Sequence, residues 1–292
     1  QNEFPRIRED GYTVNIGSND YYWFILRAPE PEAGAGAEGA LREISIAQAD
    51  WDDFSSTLSR ALESRVLYEY MSRSRWYREK SRKVRRVRIT DVVPLESGAR
   101  RAWVVMVSVS FADDARETYV VPISLALREE VESVTAEAPR AIIASVRIGE
   151  TQGAVYDAGY DPGFRDQLLH LLLTRKKLKG RTGEIRLNRG RSLRAMARGL
   201  ERPYSSRVLK VEQSNTSFLF KDSLFFKLYR KLEDGLNPDV ELVRYLTESQ
   251  RFDHVPSYGG SLSYSGGEIG EASLGLMVSF VPNEGRSEER RV

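Results

Sequence analysis

The stretch that decides the fold is RVLKVEQSNTSFLFKDSLFFKLYR, residues 207–230. Two short apolar runs flank Ser214 and Asn215, and a Lys-Asp-Ser turn leads into a third run. Short apolar runs separated by turn residues predict three strands. Lys227 interrupts the third of these strands. Because an ammonium group is costly to bury unpaired, this lysine is expected to have an anionic partner.

A helix that follows the third strand offers such a partner. Asn237 is a suitable N-cap, Pro238 suits the first helical position, and Glu241 follows in the helix. The order of strand, turn, strand, turn, lysine-bearing strand and glutamate-bearing helix is that of the amino-terminal lobe of a kinase. In that lobe the lysine holds the nucleotide phosphates and the glutamate orients the lysine. The alternative is a lysine that extends into solvent from an edge strand.

The composition is ordinary for a soluble globular protein, with 292 residues, 41% of them hydrophobic and 29% charged. A net charge of +2 is too small to indicate a nucleic-acid or membrane partner. The absence of cysteine excludes disulfides and thiol nucleophiles, and two histidines distant in sequence argue against a zinc site. No signal segment opens the chain and no apolar run approaches the roughly 20 residues of a membrane span. A soluble, cytoplasmic protein is expected.

The amino-terminal residues predict a hairpin and a linker. Strand candidates at 12–16 and 21–26 flank a Gly-Ser-Asn-Asp turn, which predicts a β-hairpin within residues 1–27. Residues 28–39 are rich in Pro, Gly and Glu and have no apolar periodicity. They predict a flexible linker, which we extend to residue 43.

The middle of the chain predicts an α+β arrangement of mixed antiparallel sheets with helices. Asp50 is expected to begin a helix that runs to about Ser72. Its apolar residues recur at three- and four-residue steps and form one stripe, namely Trp51, Phe54, Leu58, Leu62, Val66 and Tyr70. Strands are predicted at 43–46, 84–93, 102–111, 117–125, 141–148 and 153–160, and a second helix begins at Asp161.

A basic segment lies between the first helix and the strands. Nine of the sixteen residues from 73 to 88 are Lys or Arg, with Trp76 and Tyr77 among them. Aromatic residues among basic ones are also found on surfaces that bind single-stranded nucleic acid, so an RNA-binding protein is one hypothesis for the function of this chain. A solvated strand face is the favoured interpretation, so no nucleic-acid partner is expected.

Several motifs of the chain resemble those of maltokinases. They are EQSNTS at 212–217, FFKLYR at 225–230, LNPDVE at 236–241, FDHVP at 252–256 and FVPNEG at 280–285. Upstream, SRWY at 74–77, DVVPL at 91–95 and residues 119–125 are similar to the cap and intermediate regions of that family. The resemblance implies a cap domain at 44–135, an intermediate region at 136–205, a protein-kinase-like small lobe at 206–285 and a charged tail at 286–292.

The resemblance implies a parent enzyme that transfers the γ-phosphate of ATP to maltose, with Mg as its metal, and makes maltose 1-phosphate for glycan biosynthesis. Maltokinase occurs fused behind trehalose synthase, and residues 4–7 and 22–24 look like the last strands of that enzyme. The sugar site and the catalytic aspartate of the family lie in a carboxyl-terminal lobe that this sequence does not contain. The chain is therefore expected to be an inactive amino-terminal fragment that binds ATP weakly, with no catalytic or metal-binding residue assigned. The rival hypothesis is a non-catalytic accessory module of a trehalose synthase.

The resemblance also implies a set of nucleotide-binding residues. A turn over the phosphates would offer backbone N–H groups and small polar side chains, Lys227 and Glu241 would form the phosphate-anchoring pair, and a connector would contact adenine through its backbone. The turn residues are Ser214, Asn215, Thr216 and Ser217, and the connector residues are Ser279, Phe280 and Val281. An ordinary hairpin turn and plain apolar core are the alternatives for these two segments.

Overall fold

The structure is a computed structural model that describes residues 41–97, 100–209, 214–267 and 269–282. These residues belong to one compact unit that begins at Leu41. The predicted amino-terminal hairpin, the linker up to residue 40 and the charged tail at 286–292 lie outside the described residues.

The described residues form strands and helices in mixed order, which confirms the α+β fold class. The strands are β1 (Glu43–Ile46), β2 (Val84–Ser97), β3 (Arg100–Phe111), β4 (Arg116–Leu127), β5 (Ile142–Ile148), β6 (Thr151–Asp157), β7 (Lys177–Lys179), β8 (Gly183–Arg189), β9 (Ser206–Leu209), β10 (Asn215–Phe220), β11 (Leu224–Tyr229), β12 (Lys231–Leu232), β13 (Tyr258–Gly266) and β14 (Ile269–Ser279). The α-helices are α1 (Gln48–Asp52), α2 (Ser56–Ala61), α3 (Leu67–Arg73), α4 (Glu129–Glu137), α5 (Pro162–Thr174), α6 (Leu193–Met196) and α7 (Pro238–Arg244).

The strands are arranged in two seven-stranded sheets. In the first sheet the order is β1-β5-β6-β4-β3-β2, and β12 pairs with β4. In the second sheet the order is β7-β8-β13-β14-β11-β10-β9. Only β1 and β5 pair in parallel among the strands that the structure describes. The chain passes from the second sheet to the first between β11 and β12, with Arg230 as the one intervening residue.

The predicted helix from Asp50 to Ser72 is interrupted, and the prediction of one helix is wrong. Phe54 has a φ of 47°, in the left-handed region, and separates α1 from α2. Ser55 caps α2 by accepting hydrogen bonds from the backbone N–H groups of Thr57 and Leu58. A segment with π-type hydrogen bonding at Leu62–Val66 then joins α2 to α3. The six apolar residues of the predicted stripe are nonetheless all buried in one core with the first sheet.

A second hydrophobic core holds the two sheets together. Helix α5 begins after Asp161, whose carboxylate accepts a hydrogen bond from the N–H of Gly163 at 2.8 Å. Its leucines pack against apolar residues from both sheets, among them Val104 of β3 and Phe226 of β11. None of the helices in the described ranges is long and apolar enough to span a membrane.

A buried ion pair lies where the chain passes between the sheets. Arg230 and Asp157 are both fully buried, and Nη2 of the arginine lies 2.8 Å from the carboxylate. Arg230 Nε also donates to Thr216 Oγ1 at 2.8 Å. The carboxylate of Asp157 accepts from the Tyr70 hydroxyl at 2.5 Å and from the N–H of Gly159 at 2.8 Å. These contacts join α3 and β6 to β10 and to the residue that follows β11.

A buried carboxylate makes a second connection between the sheets. Asp91 of β2 accepts hydrogen bonds from the backbone N–H groups of residues 181–183 at 2.8–3.0 Å, next to the start of β8. It also accepts from the hydroxyl of Tyr264 in β13 at 2.9 Å. The edge of the first sheet is therefore fixed to the β7–β8 turn of the second.

We expect the variant Arg230→Ala to unfold at much lower urea concentration than the wild type. Removal of one partner leaves the other charge buried and uncompensated, which costs about 3–5 kcal/mol in the free energy of unfolding. Arg85→Ala is the matched control, because the Arg85–Asp114 pair is exposed and its loss should cost less than about 1 kcal/mol. Equal unfolding midpoints for the two variants would contradict a stabilising role of the buried ion pair between Arg230 and Asp157.

Candidate functional site

A cavity of about 510 Å³ lies between the first sheet and the strands that carry the quoted motif. One wall consists of the loop after α3 together with residues of β4 and β12. The other wall consists of the start of β10, the face of β11 that carries Lys227 and Tyr229, and the start of α7. The lining residues are Trp76, Arg78, Glu79, Tyr119, Ser214, Asn215, Lys227, Tyr229, Lys231, Glu233, Asn237, Pro238 and Asp239.

The alternation of side chains along β10 and β11 directs Lys227 to this cavity. Lys227 pairs with Ser217 across the two strands, and Asn215 pairs with Tyr229. Side chains two residues apart share a face of a strand, so these four residues lie on the same side of the sheet. Tyr229 on this side packs with Val240 of α7. The lysine thus lies on the sheet face that α7 covers.

The salt-bridge partner of Lys227 is Asp239. Its Nζ lies 2.9 Å from Asp239 Oδ2, and the side chains are 23% and 53% exposed, respectively. Glu241, the predicted partner, is exposed, and its side chain has no hydrogen bond or ion pair with the residues that the structure describes. The prediction is corrected for a geometrical reason, because two residues along a helix differ in direction by about 200°. Asn237 caps α7 as predicted, accepting from the N–H of Asp239 at 2.9 Å.

The predicted phosphate-binding turn divides into an open part and a buried part. Ser214 and Asn215 line the cavity. Thr216 and Ser217 lie within β10 and are buried, with Thr216 held by Arg230. The connection between β9 and β10 runs through residues 210–213, which are outside the described residues. A role of these four polar residues in binding a nucleotide stays a prediction.

The predicted adenine connector lies at the end of β14 and does not line the cavity. Ser279 exchanges hydrogen bonds with Ser257, since the N–H of each donates to an oxygen of the other at 2.9 Å. The N–H of Phe280 donates to the backbone oxygen of Ser223 at 2.8 Å. Val281 is 53% exposed. Adenine binding by these three residues stays a prediction.

The wall formed by the first sheet was missed by sequence reasoning, although Trp76 had been noted in the basic segment. Behind this wall, Glu117 accepts hydrogen bonds from Lys231 at 2.9 Å, from Arg82 at 3.2 Å and from the hydroxyl of Tyr119. Burial alone would raise the pKa of Glu117, but the hydrogen bonds from Tyr119 and Lys231, with the charges of Lys231 and Arg82, outweigh it and lower that pKa. The carboxylate therefore holds Lys231 and Tyr119, two residues that line the cavity, in place.

The acidic residues near the cavity do not form a metal site by themselves. Within the described ranges, no group of three or more His, Asp or Glu side chains is placed to hold a metal ion.

We expect the stabilising effect of Glu117 to disappear in acid. Its folded-state pKa is lowered below the unfolded value of about 4.3, so its contribution is complete above that pH. As the pH falls through the folded-state pKa, the carboxylate takes up a proton and the contribution is lost. Glu117→Gln should therefore be less stable than wild type by about 1 kcal/mol at pH 7 and nearly equal to it at pH 3.

Urea unfolding of both proteins between pH 3 and pH 7 measures this difference. Glu132→Gln serves as the control, since Glu132 is exposed and has no partner in the described part of the chain. If the difference in the free energy of unfolding between wild type and Glu117→Gln stays constant with pH, the charge of the carboxylate does not contribute to stability.

Comparison with known proteins gives one family match. Residues 70–161 match the maltokinase N-terminal cap domain. The matched segment includes the motifs at 74–77 and 91–95 that carried the resemblance, which confirms it. It extends past the predicted end of the cap at residue 135, and the predicted boundaries between domains stay predictions.

Similar solved structures include two of glucosamine kinase. One, in complex with glucosamine, ADP and inorganic phosphate, has 15% sequence identity and a TM-score of 0.42, with 74% of this chain and 41% of that chain covered. Crystal form A of glucosamine kinase has 16% identity and a TM-score of 0.40, with 68% of this chain and 35% of that chain covered. The chain thus spans 41% and 35% of the lengths of these two kinase chains. The segment at residues 70–161 is therefore similar to the maltokinase N-terminal cap domain.

Proposed function

We propose that this chain supplies the cap and the nucleotide-binding small lobe of an ATP-dependent maltokinase. The observation that carries the proposal is the environment of Lys227. This lysine lies in the middle of a strand, lines a cavity and is paired with a carboxylate in the first turn of the following helix. The match of residues 70–161 to the maltokinase N-terminal cap domain supports the same proposal.

The lysine is suited to hold phosphate oxygens because its present partner can be exchanged. Asp239 is more than half exposed, so its carboxylate can turn into solvent at little cost when a phosphate approaches. The ammonium group then donates to phosphate oxygens, which accept charge-assisted hydrogen bonds as a carboxylate does. The cavity of about 510 Å³ is in the size range of small-molecule sites.

Other residues would complete the nucleotide site in this proposal. Ser214 and Asn215 offer a hydroxyl and an amide from the cavity wall. The backbone of residues 279–281 would contact adenine, and Mg²⁺ would be held through the phosphates. Glu241 would approach Lys227 only after a rotation of α7, since Asp239 holds that position now.

The proposal assigns no acceptor or catalytic base to this chain. Maltose, the general base and the metal-binding side chains would belong to a second lobe of the parent enzyme, and the chain alone is proposed to be inactive. The sequence motifs at 4–7 and 22–24 support a parent protein that also carries a trehalose synthase domain. Maltose from that domain would then be the phosphate acceptor.

The first test measures Mg-ATP binding to this chain by calorimetry. We expect weak binding in the millimolar range, and Lys227→Met should weaken it at least about tenfold because a charge-assisted hydrogen bond to phosphate is lost. Lys221→Met is the matched control, since Lys221 is exposed in the adjacent turn and does not line the cavity. It should change affinity less than twofold.

No detectable binding of Mg-ATP, or equal effects of the two substitutions, would overturn the nucleotide role. The alternative hypothesis, a non-catalytic accessory module of a trehalose synthase, would then be favoured.

A second test examines the competition between phosphate and Asp239. Neutralising this carboxylate frees Lys227 and removes a negative charge beside the phosphates, so Asp239→Asn should tighten Mg-ATP binding by about threefold. Glu241→Gln, two residues further along the same helix, should have no effect. If Glu241→Gln weakens binding and Asp239→Asn does not tighten it, then Glu241 is the partner of Lys227 in the bound state.

A further inference from the structure

Arg78 is a cation on the cap side of the cavity that has not been assigned a role. It lies in the loop between α3 and β2 and lines the same cavity as Lys227. The side chain is exposed, and it has no ion pair with the described residues. Its neighbour Arg82 differs, because three carboxylates around it take up its charge. Arg78 is therefore the uncompensated cation of that wall.

The loop that carries Arg78 is held in place by buried aromatic rings. Trp76 and Tyr77, the two residues before it, are 5% and 0% exposed. The Tyr77 ring lies 5.2 Å from that of Tyr119 in β4, and the Arg230 guanidinium lies 5.1 Å from the Trp76 ring. Because these rings fix the backbone, the arginine is presented to the cavity at small entropic cost.

Trp76 provides an independent indication of a ligand. It lines the cavity, and its buried Nε1 N–H has no acceptor among the residues that the structure describes. A buried donor without an acceptor is destabilising, and an oxygen atom bound in the cavity would relieve this cost after a small movement of the ring, because the N–H has no exposed surface in its present position. Arg78 and Trp76 are thus both hydrogen-bond donors that lack an acceptor among the described residues.

The charges around the cavity favour a metal-bound phosphate chain over a simple anion. Arg78 contributes unpaired positive charge from one wall, whereas Lys227 on the other wall is paired with Asp239 and Lys231 is paired with Glu117. Glu79 and Glu233 also line the cavity and would repel a bare anion. A polyphosphate that carries Mg²⁺ presents both signs of charge and fits this mixture.

We infer that Arg78 binds the terminal phosphate of the nucleotide whose inner phosphates Lys227 holds, so that the cap forms one wall of the phosphate site. This inference rests on the proposed function. It adds that the cap domain senses the number of phosphates, because only a chain that extends from Lys227 reaches the opposite wall. The bound nucleotide would then contact both walls of the cavity.

The test compares nucleotides of different length on the whole chain. Arg78→Ala should weaken Mg-ATP binding about tenfold and AMP binding less than twofold, as expected for one lost charge-assisted hydrogen bond to the outer phosphate. Arg78→Lys should recover part of the loss, and the effect should decrease as salt is raised. Lys80→Ala is the matched control, because Lys80 is exposed in the same loop and does not line the cavity.

The outcomes separate this inference from the function on which it rests. If Lys227→Met weakens the binding of Mg-ATP and Arg78→Ala changes the affinity for Mg-ATP no more than the affinity for AMP, the inference fails and the proposed function stands. If Arg78→Ala weakens the binding of Mg-ATP and of AMP equally, or lowers the urea concentration at the midpoint of unfolding, the role of Arg78 is structural and the inference also fails. If wild-type protein binds neither Mg-ATP nor Mg-tripolyphosphate, both fail together.

Discussion

The geometry of the cavity depends on the buried pair of Arg230 and Asp157. Two charges removed from water lose hydration free energy, and their attraction compensates only when hydrogen bonds satisfy the remaining polar atoms. Here Thr216, Tyr70 and the N–H of Gly159 supply those bonds. Arg230 lies three residues beyond Lys227 in the chain, so the pair fixes β11, and with it the lysine, relative to the first sheet.

Covalent continuity reinforces this constraint. The chain leaves the second sheet at Tyr229 and enters the first at Lys231, where β12 pairs with β4. Lys231 is then held by Glu117, which also fixes Tyr119 on the same wall. One wall of the cavity therefore cannot move far from the other without breaking strand pairing or the buried ion pair. The cap and the lysine-bearing strand act as one structural unit around the cavity.

The sequence predicted the elements well and their mutual placement poorly. Strand positions follow from local alternation, and the lysine within β11 was recognisable because it interrupts an apolar run. The break at Phe54 was missed because the apolar stripe continues through it without a change of period. The choice of Asp239 over Glu241 depends on the rotation of α7 against the sheet, which local pattern does not determine. Asp157 and Arg230 meet only after both sheets form, so no spacing in the sequence indicates their pair.

The partial burial of the Lys227 ammonium group costs free energy, and this cost is an argument for a ligand. The neighbours of Lys227 on the same face, Phe225, Tyr229 and Leu276, pack in an apolar cluster with α7. An apolar residue at 227 would extend that cluster and would need no partner, whereas the lysine requires a carboxylate to offset its partial burial. The carboxylate it has is largely exposed and contributes little to stability. A lysine held this loosely at the wall of a cavity is better suited to exchanging one anionic partner for another than to stabilising the fold.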